Sequence, residues 1–238
     1  MAIAYPIAVG AISLVFAAIV ARGRRAHHLV WAIALIMSSL ASLAYVGALR
    51  DSAAAFRIYY VLGGLLMPAW LGLGSIYFVA PRPIADAALA ALVNVGAIGA
   101  GAVFAAGIDH EALVRLDGGP GTGVLEPGAW LPITILLNTA GVAAVVGVAI
   151  FSGVRLAQRR GTGRLVLANA LIAIGDLIVG AAGAMARTGL PQLFWMTMLT
   201  GWIVIFSGFL LSSTGSLPGS GRNSPRPWAA PTGKTPAA

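Results

Sequence analysis

The sequence predicts an all-α membrane protein: a bundle of seven transmembrane helices, with the N-terminus outside and the C-terminus in the cytoplasm. Three observations predict it. The 238 residues are 59% hydrophobic and 9% charged, against about 25% charged in an average soluble domain. The apolar residues fall in runs close to the roughly 20 residues that a helix needs to cross a hydrocarbon core about 30 Å thick. No run alternates polar and apolar residues, as the roughly ten-residue strands of a membrane barrel would. In lipid the backbone must satisfy its own polar groups, and a helix does so within one segment.

The first run, Ala2–Val20, has no basic stretch before it. Its charges follow it, so it is expected to remain as a helix rather than be cleaved as a signal peptide. The second, Leu29–Leu49, follows Arg22, Arg24 and Arg25. The third, Tyr59–Ala80, contains Pro68, which should loosen or kink the helix. The fourth, Ala87–Ala106, carries Ala97, Gly101 and Ala105 at four-residue spacing, which permits close helix approach. Next comes the longest loop, Gly107–Gly128, with Asp109, Glu111, Asp117 and Glu126. Its Gly118–Gly123 run is turn-rich and expected to be mobile. Trp130–Phe151, Leu165–Met185 and Leu193–Leu211 complete the spans. Residues 1–211 thus form the transmembrane domain. Residues 212–238, rich in Ser, Gly and Pro, read as a disordered cytoplasmic tail.

Orientation follows from arginine. One set of loops holds Arg22, Arg24, Arg25, Arg82, Arg155, Arg159, Arg160 and Arg164, and the tail adds Arg222, Arg226 and Lys234. The other set holds Arg50, Arg57, Arg115 and Arg187. The positive side is cytoplasmic. The net charge of +8 therefore reflects topology rather than nucleic-acid binding, and the Arg clusters are suited to anionic lipid. Abundant Ala, Gly and Arg point to a bacterial coding bias and so to a bacterial inner membrane. The chain has no Cys, which excludes disulfides and thiol chemistry.

Helices two and six align as Leu29–Ile36 with Leu165–Ile172, each after an Arg pair. Helices three and seven align at Ala69-Trp70-Leu71 and Gly201-Trp202-Ile203. A parallel three-one-three repeat is one reading, and chance matching of Ala, Leu, Ile and Val runs is the other. The plan resembles that of SWEET-type sugar carriers in topology alone: their repeat helices hold a Pro-Gln pair, whereas Pro191-Gln192 precedes the last helix here and has no twin. Microbial rhodopsins also share seven helices with this orientation, but they attach retinal to a Lys in the last helix. Leu193–Leu211 has no Lys, which excludes a covalent retinal pigment, and no other cofactor is expected.

Asp176 is the acidic or basic side chain deep in a span. At a helix centre Asp costs about 2.5–3.5 kcal/mol on insertion scales, so it should face the bundle or a cavity. Asn169, Gly180 and Gly183 lie along the same face. Asp176 is read either as a proton or cation handler or as a protonated acid that locks helix packing. Asn138, Ser38, Ser39 and Thr200 lie at similar depth and could join it in one cavity, with Asn94 nearer the cytoplasm. Trp70 and Trp202 sit near mid-membrane, away from the usual interfacial belt, and either wall a pocket or fill the core. Trp130, Trp195, Tyr59 and Tyr60 read as belt anchors.

No second intramembrane Asp supports a protease, and no P-loop follows the glycine run. Asp109-His110-Glu111 are adjacent and poorly disposed for one metal, and His27-His28 belongs with the basic loop. With one candidate catalytic side chain, an enzyme is disfavoured. Three functions are carried forward: a small solute or ion-coupled transporter with its site at Asp176, a ligand-sensing unit acting through a separate partner, and a structural subunit of a membrane complex.

Overall fold

A computed structural model describes residues 3–116, 118–159, 161–187 and 190–213. Asp117, Arg160 and the tail beyond Ser213 lie outside the described residues. Those described are almost wholly helical, with a single bridge between Ile108 and Leu125. The helices are α1 (Ala4–Val20), α2 (Ala26–Ala48), α3 (Ala53–Val79), α4 (Arg82–Ala105), the short α5 (His110–Val114), α6 (Trp130–Ala157), α7 (Gly163–Arg187) and α8 (Phe194–Ser213). Six of these, α2, α3, α4, α6, α7 and α8, are long and apolar enough to cross a membrane. Many large apolar side chains point outward from them, among them Leu43, Ile98, Leu136 and Leu177. Such surfaces are consistent with a lipid-embedded, multi-pass protein.

α1, with 17 residues, is shorter, about 26 Å at 1.5 Å per residue. It buries Val9, Ser13, Phe16 and Val20 against its neighbours.

α1, α2, α3, α6, α7 and α8 pack side by side in that order, and α8 returns to α1, closing a ring. α4 lies outside this ring against α3 and α6. Its exposure fits: Ile84, Val93, Ile98 and Phe104 all face outward. The core within the ring is built from Leu35, Tyr45, Phe56, Val145, Trp195 and Trp202.

α3 is broken in its middle. Residues Tyr60–Leu66 are π-helical, and regular helix resumes at Met67. The cause is Pro68, one residue further on. Proline has no N–H, so in a regular helix the carbonyl of Gly64 would lose its donor. Asn138 on α6 supplies one instead: its Nδ2 donates to the Gly64 oxygen at 2.9 Å. The expected loosening at Pro68 is thus a π-helical turn stabilised from a neighbouring helix.

Backbones touch just beyond this break. A Cβ on Gly141 would meet the Pro68 carbonyl oxygen at 2.3 Å, and one on Gly72 would meet Gly141 Cα at 2.7 Å. Only glycine permits α3 and α6 to cross so closely.

The long loop departs from the expectation of mobility, because aromatic side chains from two helices hold it. Leu113, Leu116, Val124 and Leu125 are buried, and Val124 is fully so. The Asp109 N–H donates to Val124 O and the Glu126 N–H to Gly107 O. Tyr45 of α2 donates its hydroxyl to Gly119 O, and Tyr59 of α3 donates to Pro120 O at 3.3 Å. Gly121, at φ +80°, sits where any Cβ would strike the Phe56 ring at 2.3 Å. The glycines serve close approach to an aromatic floor. The loop caps one end of the ring.

Tyr59 and Trp195 are accordingly no belt anchors. Their rings pack in a buried cluster with Tyr45, at 5.0 Å between the two tyrosines and 4.7 Å from Tyr45 to Trp195. Trp130 is also buried, with its Nε1 donating to Glu126 O at 2.8 Å. At the opposite, Arg-rich end His27 is buried against Trp31 and Phe78, each 5.2 Å away between ring centres. It is part of the packed core rather than of the loop.

Candidate functional site

Asp176 sits beside a second place where helix backbones meet directly. A Cβ on Gly175 would meet Ile205 N at 2.7 Å and Gly201 O at 2.9 Å, and one on Gly208 would meet Ala168 O at 2.8 Å. These glycines let the α7 and α8 backbones meet directly. On the other flank of α7, Gly180 faces Val142 and Asn169 faces Gly153, both on α6.

At about 100° per residue, Asp176 falls between the side of α7 that meets α8 and the side that meets α6. Ile174 and Leu177 occupy the outward arc. Asp176 therefore faces the interior, at 3% exposure. No described residue hydrogen-bonds its Oδ2.

Trp202 follows Gly201, so it lies at nearly the same depth. It is 1% exposed, and its Nε1 likewise has no described partner. Two turns of aromatic packing fix the next members. Phe16 of α1 stacks on Phe206 and Phe209 of α8, at 4.8 and 5.0 Å. Ser13, three residues before Phe16, thus lies near Trp202, four residues before Phe206. Ser13 Oγ and Ser38 Oγ are 3.0 Å apart, and Ser42 Oγ donates to Ser38 O at 2.9 Å. Ser39 is buried as well, with its backbone oxygen against Gly10. Asp176, Trp202, Ser13, Ser38 and Ser39 are thus all buried at similar depth, Asp176 on α7, Trp202 on α8 and the serines on α1 and α2.

Other candidates do not join them. Thr200 is on the outward arc of α8 and bonds its own helix at Met196 O, 2.9 Å away. Asn94 also faces out and bonds Ala90 O. Asn169 is half-buried and bonds Leu165 O at 2.8 Å. Asn138 is engaged with Gly64, and its Oδ1 has no described partner. The Gly180–Val142 and Asn169–Gly153 contacts set Asp176 opposite Val145 and Ala149. That is about two turns, roughly 12 Å, along α6 from Asn138. Trp70 is half-buried and packs against both apolar clusters of the interior.

An apolar cavity of about 290 Å³ does exist, between α3, α4 and α6. It is lined by residues such as Ala69, Gly72, Leu92 and Gly141, and none of the candidate polar residues borders it.

In the loop, Asp109 caps α5 by accepting from Ala112 N, and Glu111 pairs with Arg115 at 2.8 Å. Among the described residues no three His, Asp or Glu side chains converge as a metal site.

Sequence reasoning missed Ser13 and the tyrosine clamps. Ser13 had a signal, since it lies with Gly10 and Ala17 on one face of the helix and carries a hydroxyl in an apolar segment. The clamps had none, because each joins residues more than 60 positions apart.

No protein-family model, curated protein or solved structure matches this chain.

Proposed function

We propose that the protein is a seven-span transporter of a small solute, coupled to an ion, with its central site at Asp176. One observation carries the reading: an interior-facing carboxyl, 3% exposed, whose Oδ2 has no described partner. A lone acid is costly in a bilayer and is retained where ions or protons are handled. A helix broken mid-span at Pro68 also supports it, since discontinuous helices recur in carriers.

Seven spans follow if α1 crosses with the others, because 17 residues is the lower limit for a span. The Arg-rich loops then lie in the cytoplasm of a bacterial inner membrane, near anionic lipid, and the loop cap lies outside. The peripheral station of α4 suits a linker between two parallel three-helix units. Continued along both helices, the Trp70–Trp202 alignment pairs Ser75 with Ser207, and this pair argues less well for duplication: Ser75 is 4% exposed and Ser207 faces outward.

The test uses proteoliposomes on a solid-supported membrane, challenged with panels of amino acids, sugars and organic amines. Wild-type protein gives transient currents with a member of the panel, and Asp176→Asn folds but gives none. Equal currents in that variant end the reading.

A second reading, a structural subunit of a membrane complex, is favoured by the close packing of Asp176 and Trp202, away from the described cavity. It predicts that Asp176→Asn leaves every phenotype unchanged.

A further inference from the structure

We infer that the ion held at Asp176 is a proton and not a metal cation; this rests on the transporter reading. The argument is one of ligand number. A desolvated alkali or alkaline-earth ion needs a shell of several oxygens. The polar side chains buried at the depth of Asp176 offer few. The hydroxyls of Ser13 and Ser38 face each other at 3.0 Å, and Ser42 is turned to the Ser38 carbonyl. Thr200 and Asn169 are bonded to their own helices. Trp202 contributes an N–H, a donor that repels a cation. The flanking surfaces at Gly175, Gly201 and Gly208 bring backbones within contact and leave no shell to build.

A proton needs only one oxygen. Added to the carboxylate it removes the buried charge, which is the costly quantity in this setting. It also turns Asp176 into a donor as well as an acceptor.

No neighbouring charge competes for the role. On α6 and α8, the helices that pack on α7, Arg155 is the ionisable residue, and it lies in the last turn of α6 with its guanidinium over the Phe151 ring. Arg164 and Arg187 are at the two ends of α7. From α2, Tyr45 is committed to Gly119. Among the described residues the carboxyl faces no fixed cation, so a mobile one must neutralise it.

The experiment is infrared spectroscopy of the full chain in lipid vesicles. The carbonyl stretch of a protonated carboxylic acid is recorded at neutral pH, first in choline chloride and then in sodium, potassium or magnesium chloride. We expect the band in wild-type protein, lost in Asp176→Asn and unchanged by any of the three metals. Absence of the band, or its disappearance on adding one metal, overturns the inference. If Asp176→Asn fails to fold, carbon-13 labelling of aspartate in the wild-type chain assigns the band to an aspartic acid by its isotope shift, and among the described aspartates only Asp176 is buried. The two readings fail separately. A band with no current in either protein drops the carrier and keeps the proton. A current lost in Asp176→Asn alongside a sodium-sensitive band keeps the carrier and drops the proton.

Discussion

The break in α3 makes a quantitative prediction. Replacing Asn138 with Leu keeps the branched shape and the number of side-chain heavy atoms but removes the donor to Gly64 O. Hydrogen bonds between membrane helices are worth about 0.6–1.7 kcal/mol, and a buried acceptor left without a donor costs about 1–3 kcal/mol. The unpartnered Asn138 Oδ1 is removed at the same time, which offsets part of that loss. The net expectation for Asn138→Leu is a destabilisation of about 1–2 kcal/mol. Pro68→Ala restores an N–H that can reach the same carbonyl. In that background Asn138→Leu should cost less than about 0.5 kcal/mol, a coupling of about 1 kcal/mol. The assay is reversible unfolding in mixed detergent micelles, followed by helical circular dichroism, for the wild type, both single variants and the double variant. If the two costs add within about 0.3–0.5 kcal/mol, the usual tolerance for independent sites, the account of the broken helix is wrong.

Further expectations follow from the close contacts and the cap. Gly175→Ala sets a Cβ against backbone atoms at 2.7 and 2.9 Å that cannot rotate away, and should lower stability by about 1–3 kcal/mol in the same assay. Gly101→Ala meets nothing within 4 Å; it should be neutral, or stabilising by up to about 1 kcal/mol through helix propensity. Tyr45→Phe combined with Tyr59→Phe removes both clamps on the loop. Limited proteolysis between Leu116 and Val124 should then accelerate several-fold while the helices stay intact.

Hydropathy located the six long apolar helices because lipid imposes length and composition on a span. It misjudged their ends, because a helix does not stop where the hydrocarbon does. α6 runs on to Ala157, with Arg155 lying over the Phe151 ring at 4.3 Å. α3 starts at Ala53, where Ser52 accepts from Ala55 N as an N-cap; that signal was present in the sequence and would have moved the boundary. Rotation about each helix axis was harder to read. In a soluble helix the polar face reveals the inside from the outside, but here both sides are apolar. Asp176 could be assigned inward from the cost of charge alone. Thr200 and Asn94 could not, since each satisfies its own donor along its helix and tolerates lipid. The loop was misjudged because its glycines suit flexible turns and close approach equally, and only the distant Phe56, Tyr45 and Tyr59 decide between them.

The glycine contact between α7 and α8 limits how the molecule can change shape. At Gly175 and Gly201 main chain lies against main chain, which leaves those two helices no slack to slide past each other there, so they travel as one slab. Any motion that uncovers Asp176 has to occur where side chains meet side chains, along the borders of that slab with α1 and α6. Sliding of packed helices by an ångström or two is the motion such borders permit. The Phe16, Phe206 and Phe209 stack is then a bearing surface: smooth, apolar and free of bonds that would have to break.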